Sequence, residues 1–112
     1  MGAEEIPSEA IEALRAILDA RLGPEVADQA RLDFSVEANE ITVTERRAPY
    51  FGGGEWSAMP LARLRLEQDA SWTLLTTDDE GRWEDCLWLD GHQHLEVLLE
   101  ELDEDPTGFF WG

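Results

Sequence analysis

The spacing of hydrophobic residues changes twice along the chain and predicts a helix at each end with strands between them. Near the N-terminus, apolar residues recur every three or four positions, as on one face of a helix. These residues are Ala10, Ile11, Leu14, Ile17, Leu18 and Leu22. Ser8 is a suitable N-cap for this helix, and Gly23-Pro24 is expected to end it.

The same helical spacing returns near the C-terminus and predicts a second helix. Its apolar positions are Leu95, Leu98, Leu99 and Leu102. Pro106 is expected to end this helix, because proline disrupts the helical hydrogen-bond pattern. The segment that follows contains Phe109, Phe110 and Trp111. It is too aromatic to remain in solvent, and we expect it to pack back on the sheet.

Between the helices, apolar and polar residues alternate, which is typical of strands. The first two predicted strands carry Leu32, Phe34, Val36, Ile41 and Val43 on one face. Ala38-Asn39 is a predicted hairpin turn between them. A long loop is predicted from Arg47 to Pro60, with three consecutive glycines within it.

Three more strands are predicted after this loop. In the first, Ala62, Leu64 and Leu66 share one face, and Leu61, Arg63 and Arg65 share the other. The second contains Trp72 and Leu74, and the third runs from Arg82 to Leu89. The chain is thus predicted to be a single α+β domain over residues 1–112, with an N-terminal helix, an antiparallel meander of about five strands and a C-terminal helix with a packed aromatic tail. We expect the first helix on one sheet face, and the second helix and tail on the other face or an edge.

Charge narrows the classes of function. The 112 residues include 26 acidic and eight basic residues, all of the latter arginine, for a net charge of −18. Such a charge repels phosphate backbones and anionic lipid, which argues against general nucleic-acid or membrane binding. A single cysteine, Cys86, permits no intrachain disulfide, and no signal-peptide pattern or membrane-length apolar run occurs. We therefore expect a cytoplasmic protein, either a monomer or a homodimer.

Half of the arginines lie in two short segments, which makes them the leading candidate site. They are Arg46, Arg47, Arg63 and Arg65. Guanidinium groups bind carboxylate or phosphate through paired donors. Tyr50, Trp56 and Trp72 could complete a ligand- or partner-binding patch if the strands are neighbours. The competing interpretation is structural, with the arginines paired to Glu45, Glu55 and Glu67 and stacked on Trp72.

Other site chemistries have weaker support in the sequence. Cys86, Asp90, His92 and His94 include metal-ligand types, but their spacing matches no structural zinc pattern that we can name. The acidic runs 78–80 and 103–105 are typical of a turn and a helix end rather than of a catalytic carboxylate pair. No nucleophile elbow, phosphate-binding loop or dinucleotide fingerprint occurs. We therefore predict no catalytic residue, no metal and no cofactor.

Several strings resemble a small bacterial family known as domain of unknown function 3024. They include Glu45-Arg46-Arg47-Ala48-Pro49-Tyr50, Glu55-Trp56, Met59-Pro60-Leu61-Ala62-Arg63-Leu64-Arg65, Trp72-Thr73-Leu74, Gly81-Arg82-Trp83 and the ending Asp103 to Gly112. The ending is the most specific of these. Leu66 departs from the family pattern, which has an aromatic residue at that position. The resemblance spans nearly the whole chain and implies no established activity.

These observations favour a small cytoplasmic binding or adaptor domain that recognises an anionic group or a protein partner through the arginines and Trp56. An alternative is a small phosphate-ester or nucleotide-handling enzyme that uses the same arginines. A weaker alternative is an acidic decoy that occupies a basic partner. The sequence does not decide whether the protein is an enzyme, although a non-catalytic role is favoured.

Overall fold

The computed structural model describes residues 5–22, 28–49 and 54–111. Within them the elements are α1 (Ser8–Arg21), β1 (Ala30–Glu37), β2 (Glu40–Arg47), β3 (Ser57–Leu66), β4 (Trp72–Thr77), β5 (Trp83–Asp85) and α2 (Leu95–Glu104). The strands form one antiparallel sheet in the order β1-β2-β3-β4-β5. This arrangement confirms the predicted α+β fold. Neither helix is long and apolar enough to cross a membrane.

The β1–β2 hairpin turns at Ala38 and Asn39, as the sequence predicts. Ala38 adopts a left-handed backbone conformation with φ of 54°, which a two-residue hairpin turn requires. The side-chain amide of Asn39 donates to the carbonyl oxygen of Leu66 at 2.8 Å, and the Leu66 amide donates back to the Asn39 carbonyl. These two bonds attach the hairpin turn to the end of β3 and help to fix the register.

Strand β3 begins earlier than the sequence analysis predicted. It starts at Ser57, so Pro60 lies within the strand and not at the end of a loop. The register between β2 and β3 shifts at Val43 and Thr44, where Thr44 pairs with Pro60 and Val43 with Ala62. A bulge of this kind accommodates proline, which cannot donate to the ladder.

Both helices pack on the same face of the sheet, so of the two positions expected for α2, the opposite face and an edge, the opposite face is wrong. Helices α1 and α2 contact each other, and their apolar residues form one core cluster with the apolar face of the strands. The fully buried members include Leu14 of α1, Leu64 of β3 and Leu98 of α2. The opposite side of the sheet, which we call the open face, carries mostly polar side chains. Two layers therefore enclose one core, as is usual for α+β domains.

Helix α1 differs from its prediction at its start. Pro7 occupies the N-cap position, and Ser8 is the first helical residue. The Pro7 carbonyl accepts hydrogen bonds from the amides of Ala10 and Ile11. The predicted stop at Gly23-Pro24 lies outside the described residues.

The fifth strand is much shorter than the predicted span from Arg82 to Leu89. Beyond the Cys86 amide, which still donates to the Leu74 carbonyl, Gln93 takes the position beside β4. Gln93 and Trp72 exchange two backbone hydrogen bonds of 2.8 Å each. Because this position is filled, residues 87–92 leave the sheet, and Leu87 is 81% exposed.

Candidate functional site

The open face carries four of the eight arginines, in two separate groups. Arg31 lies opposite Arg46 in the β1–β2 register, near one end of the strands. Arg63 lies opposite Thr42, four residues along β2 from Arg46. At about 3.3 Å per residue, the two groups are about 13 Å apart along the strands.

Arg63 is held in place on three sides. Its Nε donates to Thr42 Oγ1 at 3.0 Å, and its guanidinium lies over the Trp83 ring, 4.3 Å from the ring centroid. Leu75 pairs with Arg63 and lies on β4, between the strands that carry Arg63 and Trp83. It is only 5% exposed. Nη1 approaches Glu40 Oε1 at 3.7 Å, which is longer than a hydrogen bond. The guanidinium is thus oriented by Thr42 and Trp83 more than by an acid.

Arg65 lies two residues further along β3 and contacts two carboxylates. Its Nε and Nη2 both donate to Glu67 Oε2 at 3.2 Å, and Nη2 lies 3.6 Å from Asp85 Oδ1. Because both bonds converge on a single oxygen, the pair lacks the two-oxygen fork of an ideal arginine–carboxylate pair. Arg63 and Arg65 keep 26% and 30% of their side-chain surface exposed.

Glu67 belongs to a hydrogen-bonded chain that leads away from Arg65. Thr73 Oγ1 donates to Glu67 Oε2 at 2.6 Å and accepts from the His92 amide at 3.2 Å. The bond from Thr73 has the largest effect and lowers the pKa of Glu67; burial opposes it, and the hydrogen bond and charge of Arg65 lower the pKa further. Glu67 is therefore a carboxylate at neutral pH and acts as a hydrogen-bond acceptor.

The second group lies at the start of β1. The guanidinium of Arg31 lies over the Trp56 ring, 4.6 Å from its centroid. Arg46 Nε lies 3.5 Å from Asp33 Oδ2. Trp56 therefore accompanies Arg31 and Arg46, and the aromatic partner of Arg63 is Trp83.

Two residues of the predicted site, Arg47 and Trp72, are not brought to this face. Arg47 alternates to the side opposite Arg46 and bonds Glu45 through Nε and Nη2 at 3.1 and 3.2 Å. That carboxylate raises the pKa of Arg47. Trp72 pairs with Leu66 on the helix-covered face and is 4% exposed, so the predicted stacking of arginine on Trp72 is wrong. Tyr50 lies outside the described residues.

Sequence reasoning missed Trp83, Thr42 and Thr73 as members of the site. A signal for Trp83 was present, because alternation places it on the same strand face as Asp85, the residue that contacts Arg65. Thr42 and Thr73 could be found only from the strand register, which pairs them with Arg63 and Arg65.

A groove of about 570 Å³ lies where β4 begins, next to the hydrogen-bonded chain of Glu67, Thr73 and His92. It is lined by Asp69, Ala70, Ser71, His92, Gln93 and His94. The His92 Nδ1 lies 2.9 Å from Ser71 Oγ and 3.3 Å from Asp69 Oδ2. In a serine–histidine–aspartate triad the hydroxyl and the carboxylate engage opposite ring nitrogens. Here both approach the same nitrogen, so His92 does not lie between Ser71 and Asp69 as the base of such a triad does.

The residues considered for a metal site are dispersed. Among the described residues, no group of three His, Cys, Asp or Glu side chains is placed to hold a metal ion. Burial raises the pKa of the Cys86 thiol, which disfavours the thiolate that metals and electrophiles require. His92 instead contacts Ser71 and Asp69.

Comparison with known proteins places the chain in a family. The model of the family described as Domain of unknown function (DUF3024) matches residues 3–112, and the chain belongs to this family. No curated protein and no solved structure matches the chain.

Proposed function

We propose that this DUF3024 domain is a cytoplasmic, non-catalytic binding domain whose open face binds a carboxylate or phosphate group through Arg63 and Arg65. The observation that carries the proposal is the placement of these two side chains. They lie two residues apart on β3, about 7 Å along the strand, and both point to the side opposite the one on which α1 and α2 pack. Both are partly exposed and can reach a ligand.

The orientation of Arg63 supports binding. A long side chain loses rotational freedom when it binds a ligand, and this loss weakens affinity. Thr42 and Trp83 already restrict the Arg63 guanidinium in the unbound domain. The remaining donors can therefore engage a planar or tetrahedral oxyanion with less ordering than a free arginine would need.

Two of the acidic partners of the arginines, Glu40 and Asp85, can be replaced by a ligand. The contacts with Glu40 and Asp85 are 3.7 and 3.6 Å long and lie at the protein surface. Ion pairs of this kind contribute about 0–1 kcal/mol. A ligand that forms charge-assisted hydrogen bonds of about 2.8 Å would be favoured over them.

The chemistry of Glu67 favours binding over catalysis at this site. A general acid or base works best with a pKa near the operating pH. Glu67 is hydrogen-bonded to Arg65, and its pKa is lowered from the ordinary value. It therefore holds Arg65 in place and is poorly suited to transfer a proton at neutral pH.

Calorimetric titration with inorganic pyrophosphate and with a tetraglutamate peptide tests the proposal and distinguishes the two kinds of oxyanion. Saturable binding of at least one of them is expected, with roughly tenfold weaker affinity for Arg63→Ala and Arg65→Ala. Arg82→Ala is the matched control, because Arg82 is a surface arginine paired with Asp78 and Glu80. Binding that is absent in the wild type, or equal in Arg63→Ala and the wild type, would contradict the proposal.

A further inference from the structure

We propose that a second surface, formed by Leu87, Trp88 and Phe109 and here called the aromatic patch, docks a basic amphipathic segment of a partner protein. The three side chains are 81%, 37% and 47% exposed. The rings of Trp88 and Phe109 lie 5.0 Å apart between centroids, and Leu87 precedes Trp88 in the chain. Clustered exposed apolar side chains commonly mark interaction sites.

The two rings of the aromatic patch are held in place by contacts with Phe110 and Glu101. Phe110, which is buried, packs edge-on against Phe109 at 5.2 Å and lies 6.1 Å from Trp88. The Trp88 Nε1 donates to Glu101 Oε2 at 2.9 Å. These contacts fix both exposed rings before any partner arrives, as in interfaces built around rigid aromatic anchors.

The chain end that carries Phe109 is also fixed. The Asp105 carboxylate accepts from the amides of Phe110 and Trp111 at 3.1 and 2.9 Å. The Trp111 Nε1 donates to the Leu102 carbonyl at 2.5 Å, and the Arg21 guanidinium lies 4.9 Å from the Trp111 ring centroid. Anchors on both sides of Phe109 therefore define where its exposed ring lies.

Charge identifies the kind of partner. Residues 83–112 contain nine acidic residues and no Arg or Lys. Glu101 contacts Trp88 directly, and Glu104 lies one turn further along the exposed side of α2. The apolar patch, with Glu101 beside it and the exposed acids of α2 following, complements a segment that combines apolar anchors with Lys or Arg. A second copy of this chain would bring the same negative charge to the contact, which disfavours self-association there.

The aromatic patch does not depend on the arginines of the open face. It is carried by the segment after β5 and by the chain end beyond α2, whereas Arg63 and Arg65 lie on β3. One surface takes an anion and the other a cationic segment, so a domain with both could join two partners. Loss of either interaction can be measured without loss of the other.

The test uses the full chain and a synthetic helical peptide of about four turns, with Leu on one face and Lys on the other. A second peptide replaces every Leu with Ser and keeps the charge. Leu87→Ser and Phe109→Ser remove exposed apolar surface of the aromatic patch. Met59→Ser is the matched control, because Met59 is 60% exposed on β3, away from the patch. Fluorescence anisotropy at about physiological ionic strength gives the affinities.

The expected result is saturable binding of the Leu–Lys peptide, at least roughly tenfold tighter than the Ser–Lys peptide. Leu87→Ser and Phe109→Ser each weaken it by roughly tenfold, and Met59→Ser leaves it unchanged. Leu87 is so exposed that its substitution separates loss of docking from loss of folding. Equal binding of the two peptides, or equal affinity of Leu87→Ser and wild type, would overturn the proposal. So would self-association of the wild type in sedimentation equilibrium that Leu87→Ser abolishes.

Discussion

The two faces of the sheet are built from the same strands and show opposite chemistry. On the covered face, Ile41, Leu64 and Leu74 line up across β2, β3 and β4 and are at most 1% exposed. On the open face, Thr42, Arg63 and Leu75 line up one residue away, and the arginine remains partly exposed. Aliphatic burial supplies most of the folding free energy, whereas exposed polar contacts add little. The comparison therefore assigns stability to the covered face and leaves the partly exposed arginines of the open face free of a major role in folding, as the proposed recognition requires.

The largest expected effect is the difference in stability between two single substitutions at neighbouring positions of β3, one on each face of the sheet. Leu64→Ala removes buried methyl groups from the core and should lower the free energy of unfolding by about 2–5 kcal/mol. Arg63→Ala should lower it by about 1 kcal/mol or less, while it weakens anion binding. Urea denaturation of both variants gives the comparison. A larger loss of stability for Arg63→Ala than for Leu64→Ala would show that the open face is structural.

Removal of the Asp105 carboxylate should release the aromatic tail from the covered side. Asp105→Ala leaves the amides of Phe110 and Trp111 without their acceptor, for an expected loss of about 1–3 kcal/mol. Hydrogen exchange should be faster at these two amides, and the tryptophan fluorescence of the protein should change. Asp103→Ala, which alters an exposed acid of the same run, serves as the control. Unchanged exchange in Asp105→Ala would mean that other contacts hold the tail.

The stacking of Arg63 on Trp83 should have a smaller and separable effect. Trp83→Leu keeps an apolar side chain beside Leu75 and removes the aromatic ring, whose interaction with a cation contributes about 0.5–1 kcal/mol. Affinity for the anion should fall about two- to fivefold in a calorimetric titration, with little change in the unfolding transition. A full loss of affinity would instead place Trp83 in direct contact with the ligand.

The smallest expected effect is a pH dependence that depends on Glu67. Its pKa is lower in the folded domain than the ordinary value of 4.5, so its stabilising contribution is present above that value. The contribution is lost as the pH falls through the folded pKa. Wild type should therefore be more stable than Glu67→Gln at about pH 6, and the difference should shrink towards about pH 3. A difference that is constant with pH would contradict the assigned bonds from Thr73 and Arg65.

The spacing of apolar residues, alternating in the strands and every three or four positions in the helices, was sufficient to predict most of the fold. It placed the Ala38-Asn39 turn, the face shared by Ala62, Leu64 and Leu66, and both helices. It could not predict the length of β5, because the pattern does not reveal that Gln93, which follows β5, takes the position beside Trp72 on β4. It also could not place both helices on one face, since periodicity reports that a helix has an apolar side but not what that side packs against.

The candidate site was predicted in part. Arg63 and Arg65 on one exposed face followed from alternation, and the structure places them there. The predicted convergence with Arg46 depended on the register of β2 against β3. Because residues 57–60 were predicted to be a loop, the pairing of β2 with β3 could not be predicted. In the structure, Arg63 pairs with Thr42, four residues along β2 from Arg46. Trp72 and Leu74 are two residues apart in β4, so both side chains point to the covered face, where Trp72 is buried.

The most direct test of recognition by the open face is NMR observation of the arginine Nε–Hε groups during titration with inorganic pyrophosphate and with tetraglutamate. We predict saturable shifts for Arg63, Arg65 and the Trp83 indole N–H with at least one of these anions. Arg82, on the β4–β5 turn, should move only slightly. Equal, non-saturating shifts at all arginines, or no shift at Arg63 and Arg65, would contradict the account.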